Sequence, residues 1–234
     1  MLAAAVRWRS IDRNPAIDVS NPLRPRREFS PFETWEEVEV LATELGPFGP
    51  LAIFCVGTGV RPEEAFGGDW SDVDLEAGVF TIRRAFAKGR LKTYAKTARS
   101  RRWVPLRAKV VAALETLPHR YGILLPAAGG GRINIDNFRS RDWTPALKAA
   151  GLDHRRIYDM RHTFATWSLA AGMSIFTLAR RMGTSVQVID ATYGHLARDA
   201  DGHDRDLLDA YDGAIGHVVG TISAEETGQE DTAA

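Results

Sequence analysis

The chain has 234 residues, 44% of them hydrophobic and 26% charged, and its 30 basic residues are matched by 30 acidic ones for a formal net charge of zero. That is the composition of an ordinary soluble chain able to bury one substantial core. No apolar run approaches the roughly 18 residues of a membrane span, and the single cysteine excludes a disulfide framework and very nearly a cysteine-based zinc site.

The first residues, MLAAAVRWRSIDRNP, offer only a short apolar piece before charges, which does not make a secretory signal. With a lone thiol, Cys55, read as a small buried apolar residue in LAIFCVG, the expected compartment is the cytoplasm. Residues 1 to 30 hold Pro15, Pro22 and Pro25 with Arg24, Arg26 and Arg27, the composition of an extended linker. Thr34 followed by Glu37 ahead of Val38, Val40 and Leu41 is a capping-box pattern for a helix ending near Leu45-Gly46. Leu51 to Val56 is an apolar run stopping at Gly57-Thr58-Gly59, read as a buried helix entering a turn. Strands are expected at 79–84 and 102–106, with 91–95 between them in one small antiparallel sheet. Helices follow at about 108–117, 136–150, 157–171, 174–182, 186–193 and 203–219, and 220–234 has the composition of a disordered tail. The expected fold is mainly α with a small antiparallel β-sheet (α+β).

Charge is distributed unevenly. No acidic residue lies between Glu76 and Glu115, whereas Arg83, Arg84, Lys88, Arg90, Lys92, Lys96, Arg99, Arg101, Arg102, Arg107 and Lys109 all do. A neutral chain with one basic segment can still bind phosphate locally. The alternative is a solvated charged hairpin. The scattered histidines (119, 154, 162, 195, 203 and 217) and the lack of a carboxylate cluster argue against a metal, and no phosphate-binding glycine loop of the Walker type is present.

Two stretches carry chemistry. In Thr58-Gly-Val-Arg-Pro-Glu-Glu64, flanking glycines permit a tight turn that presents Arg61 at a helix start, Pro62 suits the first helical position, and Glu64 is placed to hold the guanidinium. Between Ile157 and Leu196, apolar positions 157, 160, 164, 167 and 171 mark one helix face, and Tyr158 and Arg161 are neighbours three residues apart. A third helix there carries Tyr193. Taken singly, Arg61 reads more readily as a structural residue, Tyr193 more readily as a core tyrosine, and Tyr158 as a packing one. The six tryptophans read as core or interface anchors.

Together the boxes resemble the tyrosine recombinase (phage integrase) family over roughly residues 30 to 215. The first box looks like residues 58–64 followed by Trp70-Ser-Asp-Val-Asp74. The hairpin lysine matches Lys96-Thr97 ahead of Arg102-Trp-Val-Pro-Leu106. The second box, His-x-x-Arg continued as His-Thr-Phe-Ala, matches 158–165, and the nucleophile's Tyr-x-His setting matches Tyr193. The sequence departs from the pattern at Tyr158, where the family has histidine, and at Thr184, where it has histidine or tryptophan. Tyrosine is a poor base at neutral pH, though both side chains can donate hydrogen bonds.

The resemblance implies a catalytic-domain-like fold over 31–219, no cofactor, and DNA cleavage through a 3′-phosphotyrosyl bond. Tyr193 is then the nucleophile, Arg61 and Arg161 the phosphate forks, and Lys96 the proton donor to the departing 5′-hydroxyl. Tyr158 and Thr184 complete the catalytic set, and Glu64 supports it. Arg99, Arg101 and Arg102 are expected on a solvated hairpin face against DNA, so that their loss leaves folding intact. The expected partners are double-stranded DNA and a second copy docked through the C-terminal helix (Leu207, Leu208, Tyr211, Ile215, Val218), which otherwise packs on its own domain. Residues 1–30 then read as a linker and the remnant of an upstream DNA-binding domain. A truncated, non-catalytic DNA-binding remnant is the alternative function, and a topoisomerase-like nicking enzyme is a third.

Overall fold

The computed structural model describes residues 2–17, 19, 28–93, 102–118, 120–194, 205–206 and 208–212. The chain opens on a short surface helix, α1 (Leu2–Arg7), none of whose residues is buried. The prolines that mark an extended linker begin only at Pro15, and Ala3 to Ala5, ahead of it, favour helix. Helix α2 (Trp35–Glu44) starts where the capping pattern places it, with the Thr34 hydroxyl accepting from the Glu37 N–H. Helix α3 (Gly49–Thr58) is buried over most of its length and stops at Gly59, which takes the left-handed conformation. Helix α4 (Pro62–Gly67) follows after three residues.

The strands are β1 (Val73–Asp74), β2 (Val79–Ile82), β3 (Arg84–Ala87), β4 (Arg90–Thr93) and β5 (Arg102–Pro105). They form two sheets rather than the single one expected. One is antiparallel in the order β1-β2-β5, with Val79 opposite Pro105 and Ile82 opposite Arg102; the other is the hairpin β3-β4, with Ala87 opposite Arg90. The reason is local. Lys88 and Gly89 both have positive φ, which closes a two-residue turn and commits residues 90–93 to pair with 84–87. That leaves the edges of β2 to β1 and β5.

The remainder is helical: α5 (Ala108–Glu115), α6 (Ile135–Phe138) running through a π turn at Arg139–Trp143 into α7 (Thr144–Ala149), then α8 (Asp159–Ala170), α9 (Ile175–Met182) and α10 (Val186–Tyr193). Ser174 and Ser185 cap α9 and α10 through their hydroxyls. Residues 208–212 are helical, with Leu208 and Tyr211 exposed. The architecture is therefore mainly helical with small antiparallel sheets.

Two apolar clusters organise the packing. The larger gathers Phe32, Leu41, Phe54, Phe66, Phe80 and Trp143 around α3, which packs against α2, α5 and α8. Cys55 is buried within it, and burial pushes its thiol pKa up, as suits an inert apolar residue. The smaller cluster joins Phe164 and Ala165 of α8 to Leu178, Ala179 and Met182 of α9 and to Ile189 and Tyr193 of α10. Helix α10 is thereby held through α9. Among the described residues, no helix is long and apolar enough to cross a membrane.

Candidate active site

The site forms where the turn between α3 and α4 meets the C-terminal end of α9. Arg61 is the N-cap of α4 with Pro62 in the first turn, as its sequence setting predicts. Glu64, one turn on, accepts from the Arg61 backbone N–H and from Arg61 Nη1, each at 2.9 Å. The same carboxylate receives both terminal nitrogens of Arg102. Burial alone would raise the pKa of Glu64, but Arg102 and then Arg61 outweigh it and hold the carboxyl below its ordinary range.

Three guanidiniums converge on the last carbonyls of α9. Arg102 Nε donates to the Arg181 carbonyl at 3.0 Å, Arg161 Nη2 to Met182 at 2.7 Å, and Arg61 Nη2 to Gly183 at 2.8 Å. Arg161 also donates to the Gly59 carbonyl at 2.6 Å, so it bridges both halves of the site. The unpaired carbonyls of a helix end carry partial negative charge, and cations there are stabilising. Two glycines permit the approach. Gly59 has φ +65°, and a Cβ on it would stand 2.1 Å from the Phe164 ring; Gly183 has φ +61°, and a Cβ on it would stand 2.6 Å from the Arg102 guanidinium carbon.

Thr184 follows immediately, half-buried, its N–H bonded to the Ala179 carbonyl. Tyr193 ends α10 with only 3% of its surface exposed. Its hydroxyl lies 2.7 Å from His162 Nδ1. Burial raises the Tyr193 pKa to about 12, partly opposed by Arg161, and burial lowers that of His162 to about 4. His162 is accordingly neutral near pH 7, and in the tautomer that carries its proton on Nε2 it accepts the tyrosine's hydrogen bond at Nδ1. With the two pKa values so far apart, it is a poor acceptor for the proton itself. Tyr158 is 39% exposed at the N-terminal cap of α8, its ring edge-on to His162 with centroids 5.4 Å apart.

Of the residues singled out from the sequence, the structure brings together Arg61, Glu64, Arg161 and Thr184 around the end of α9, with Tyr158 and Tyr193 linked to them through α8 and His162. Lys96, Arg99 and Arg101 lie outside the described residues. Arg102 is placed differently from the solvated hairpin position expected of it. Its side chain is turned inward, because the buried Glu64 carboxylate and the end of α9 supply better partners than water. Arg84 likewise turns to Asp69 and Asp72. Sequence reasoning missed His162 as a contact of Tyr193, although its position one residue after Arg161 was visible. It also missed Phe29, whose ring stacks on His162, and for which no motif gave a signal. Among the described residues, no group of three or more His, Cys, Asp or Glu could hold a metal.

Comparison with known proteins bears on the fold and the family. Residues 51–199 match the model of the phage integrase family. The chain is 33% identical over 175 residues to the IntQ protein of Escherichia coli (strain K12), whose name marks it as defective, covering 61% of this chain and 44% of that one. It is 28% identical over 229 residues to the prophage integrase IntR of the same organism, covering 86% of this chain and 56% of the relative. The chain thus spans about half the length of the curated relatives it matches. Among solved structures, the Tn1549 transposon integrase in complex with transposon right end DNA superposes with a TM-score of 0.67 at 21% identity, over 88% of this chain and 75% of that one.

Proposed function

The chain belongs to the phage integrase family, and from that membership we propose that it cuts and rejoins double-stranded DNA through a covalent bond between Tyr193 and a 3′-phosphate, in site-specific recombination or integration. The observation that supports this reading best is the meeting of Arg61 and Arg161, a hundred residues apart in sequence, on adjacent carbonyls at Met182 and Gly183. These carbonyls are neutral acceptors. A phosphodiester is a charged one, and charge-assisted hydrogen bonds are roughly twice as strong, so an incoming phosphate competes well for both forks. Tyr193 then gives its proton to solvent water as it attacks phosphorus, the bond to the 5′-oxygen breaks, and that oxygen takes a proton from Lys96. In the reverse step the 5′-hydroxyl attacks the phosphotyrosine and releases Tyr193, so that the bond energy is kept without a cofactor. Tyr158 and Thr184 donate hydrogen bonds to the phosphate. In this reading residues 31–219 form the catalytic unit, which works on DNA in the cytoplasm. A second copy is held through the helix that exposes Leu208 and Tyr211.

The test is a duplex nicked beside the scissile phosphate, incubated with the protein and run on a denaturing gel. A covalent band that disappears in Tyr193→Phe, while DNA affinity stays within about twofold because only one hydroxyl is lost, supports the reading. DNA binding with no covalent band from the wild type would instead favour a non-catalytic DNA-binding protein.

A further inference from the structure

Tyr193 is almost wholly covered, so in this conformation its hydroxyl cannot reach a phosphodiester arriving from outside. Part of the cover is a segment belonging to no helix or strand. The Phe29 ring lies nearly flat on the His162 imidazole, with centroids 4.5 Å apart and planes within 6°, and meets the Tyr193 ring edge-on at 5.5 Å. The segment is tied down along its length. Arg156 Nη2 donates to the Glu28 carbonyl at 3.0 Å, Arg155 Nε to the Pro31 carbonyl at 3.4 Å, and the Phe32 N–H to the buried Thr163 hydroxyl at 2.9 Å. Thr163 is next to His162 on α8, so the same turn of helix anchors the segment and presents the imidazole beneath it.

We propose that residues 28–31, hinged on the buried Phe32, form an autoinhibitory strap over the nucleophile, in which Phe29 clamps His162 and His162 holds the Tyr193 hydroxyl, storing the tyrosine until the strap lifts. This rests on the reading of Tyr193 as the attacking group. His162 is here a positioning residue. Its Nδ1 is hydrogen-bonded to the phenolic hydroxyl, and the flat stacking of Phe29 on its face holds the ring in the plane that this contact requires. The low pKa of His162 fits storage better than proton transfer, because the imidazole stays a neutral acceptor throughout the physiological range. The geometry also explains why a phenylalanine ahead of α2, with no helical or strand partner of its own, is packed against the cluster that holds Tyr193.

The strap is tested without DNA by nitrating the full chain with tetranitromethane and mapping the modified tyrosines by mass spectrometry. Tyr211, 63% exposed, serves as internal reference. In the wild type Tyr193 should react much more slowly than Tyr211. Phe29→Ala should raise the Tyr193 rate relative to Tyr211 by roughly two- to tenfold, the equilibrium shift that one aromatic stacking contact supports. Phe29→Tyr, which keeps the ring, should restore slow reaction, and a thermal melt identifies any variant whose exposure comes from general unfolding. An unchanged Tyr193 rate in Phe29→Ala, or a Phe29→Tyr variant as reactive as the alanine one while still folded, overturns the strap. The nicked-duplex assay on the same proteins separates this result from the proposed function. Faster nitration with no adduct from any variant leaves the strap standing and removes DNA cleavage; adduct formation with nitration unmoved by Phe29→Ala does the reverse.

Discussion

Glu64 is fully buried and pairs with Arg61 and Arg102, two of the three guanidiniums at the end of α9. Removing one member of a buried ion pair leaves its partner uncompensated, so Glu64→Ala should cost roughly 3–5 kcal/mol in a denaturant titration. Its folded pKa is lowered, so the stability it contributes is full above the ordinary value of 4.5 and is lost as pH falls through the folded one. The gap between wild type and Glu64→Ala should therefore narrow in acid, and a gap that stays constant would mean the loss comes from packing. Tyr158 poses the opposite case, a half-exposed ring standing where the family has histidine. Tyr158→His should speed adduct formation on the nicked duplex, with a pH dependence near the imidazole range around 6.5. Equal or slower cleavage would show that the tyrosine acts by packing on His162 and orienting α8. Both residues were legible from motif position alone. The role of Arg102 was not, because a run of cations reads as solvated unless its buried carboxylate, 38 residues upstream, is known.

Among the elements, α9 couples the rest, since it receives a guanidinium from β5, another from α8 and a third from the start of α4. Its C-terminal Gly183 is the joint, needed both for its left-handed backbone and for the space that Arg102 fills. Gly183→Ala should lose about 1 kcal/mol from the backbone alone. It should lose more cleavage than that figure implies, because the guanidinium must also move away from the helix end. A variant with wild-type cleavage despite lowered stability would show that Arg102 is not needed in this position. The helices around this joint were readable because their caps are local: Thr34, Ser174 and Ser185 before, Gly59 and Gly183 after. The sheets were half readable. Residues 79–82 and 102–105 are strands as expected, but they pair directly with each other rather than across 91–95, and the positive φ at Lys88, which frees β3 and β4 into their own hairpin, has no clear sequence mark in a lysine. Phe29 and His162 were unreadable for a related reason, since stacking across 133 residues leaves no periodicity to detect.

At the scale of the whole molecule, a net charge of zero hides two populations of cations that the sequence alone could not separate. Arg90 and Lys92 lie on β4, exposed along its whole length, whereas Arg84 and Arg102 are spent on Asp69, Asp72 and Glu64. Beyond the Arg61 and Arg161 forks proposed for the scissile phosphate, the first kind can neutralise further phosphates and release counterions, and each such contact contributes about −0.9 to the slope of log affinity against log salt. Arg90→Ala with Lys92→Ala should therefore flatten that slope by up to roughly 1.8 while changing stability by less than about 0.5 kcal/mol. Arg102→Ala should do the reverse, lowering the unfolding midpoint and leaving the slope alone. The measurement is a salt titration by fluorescence anisotropy on two unrelated duplexes, with denaturant unfolding of the same proteins. Should Arg102→Ala flatten the slope as much as the double variant does, Arg102 must leave Glu64 for phosphate when DNA binds. The carboxylate would then be holding that arginine in reserve as well as holding Arg61 in place.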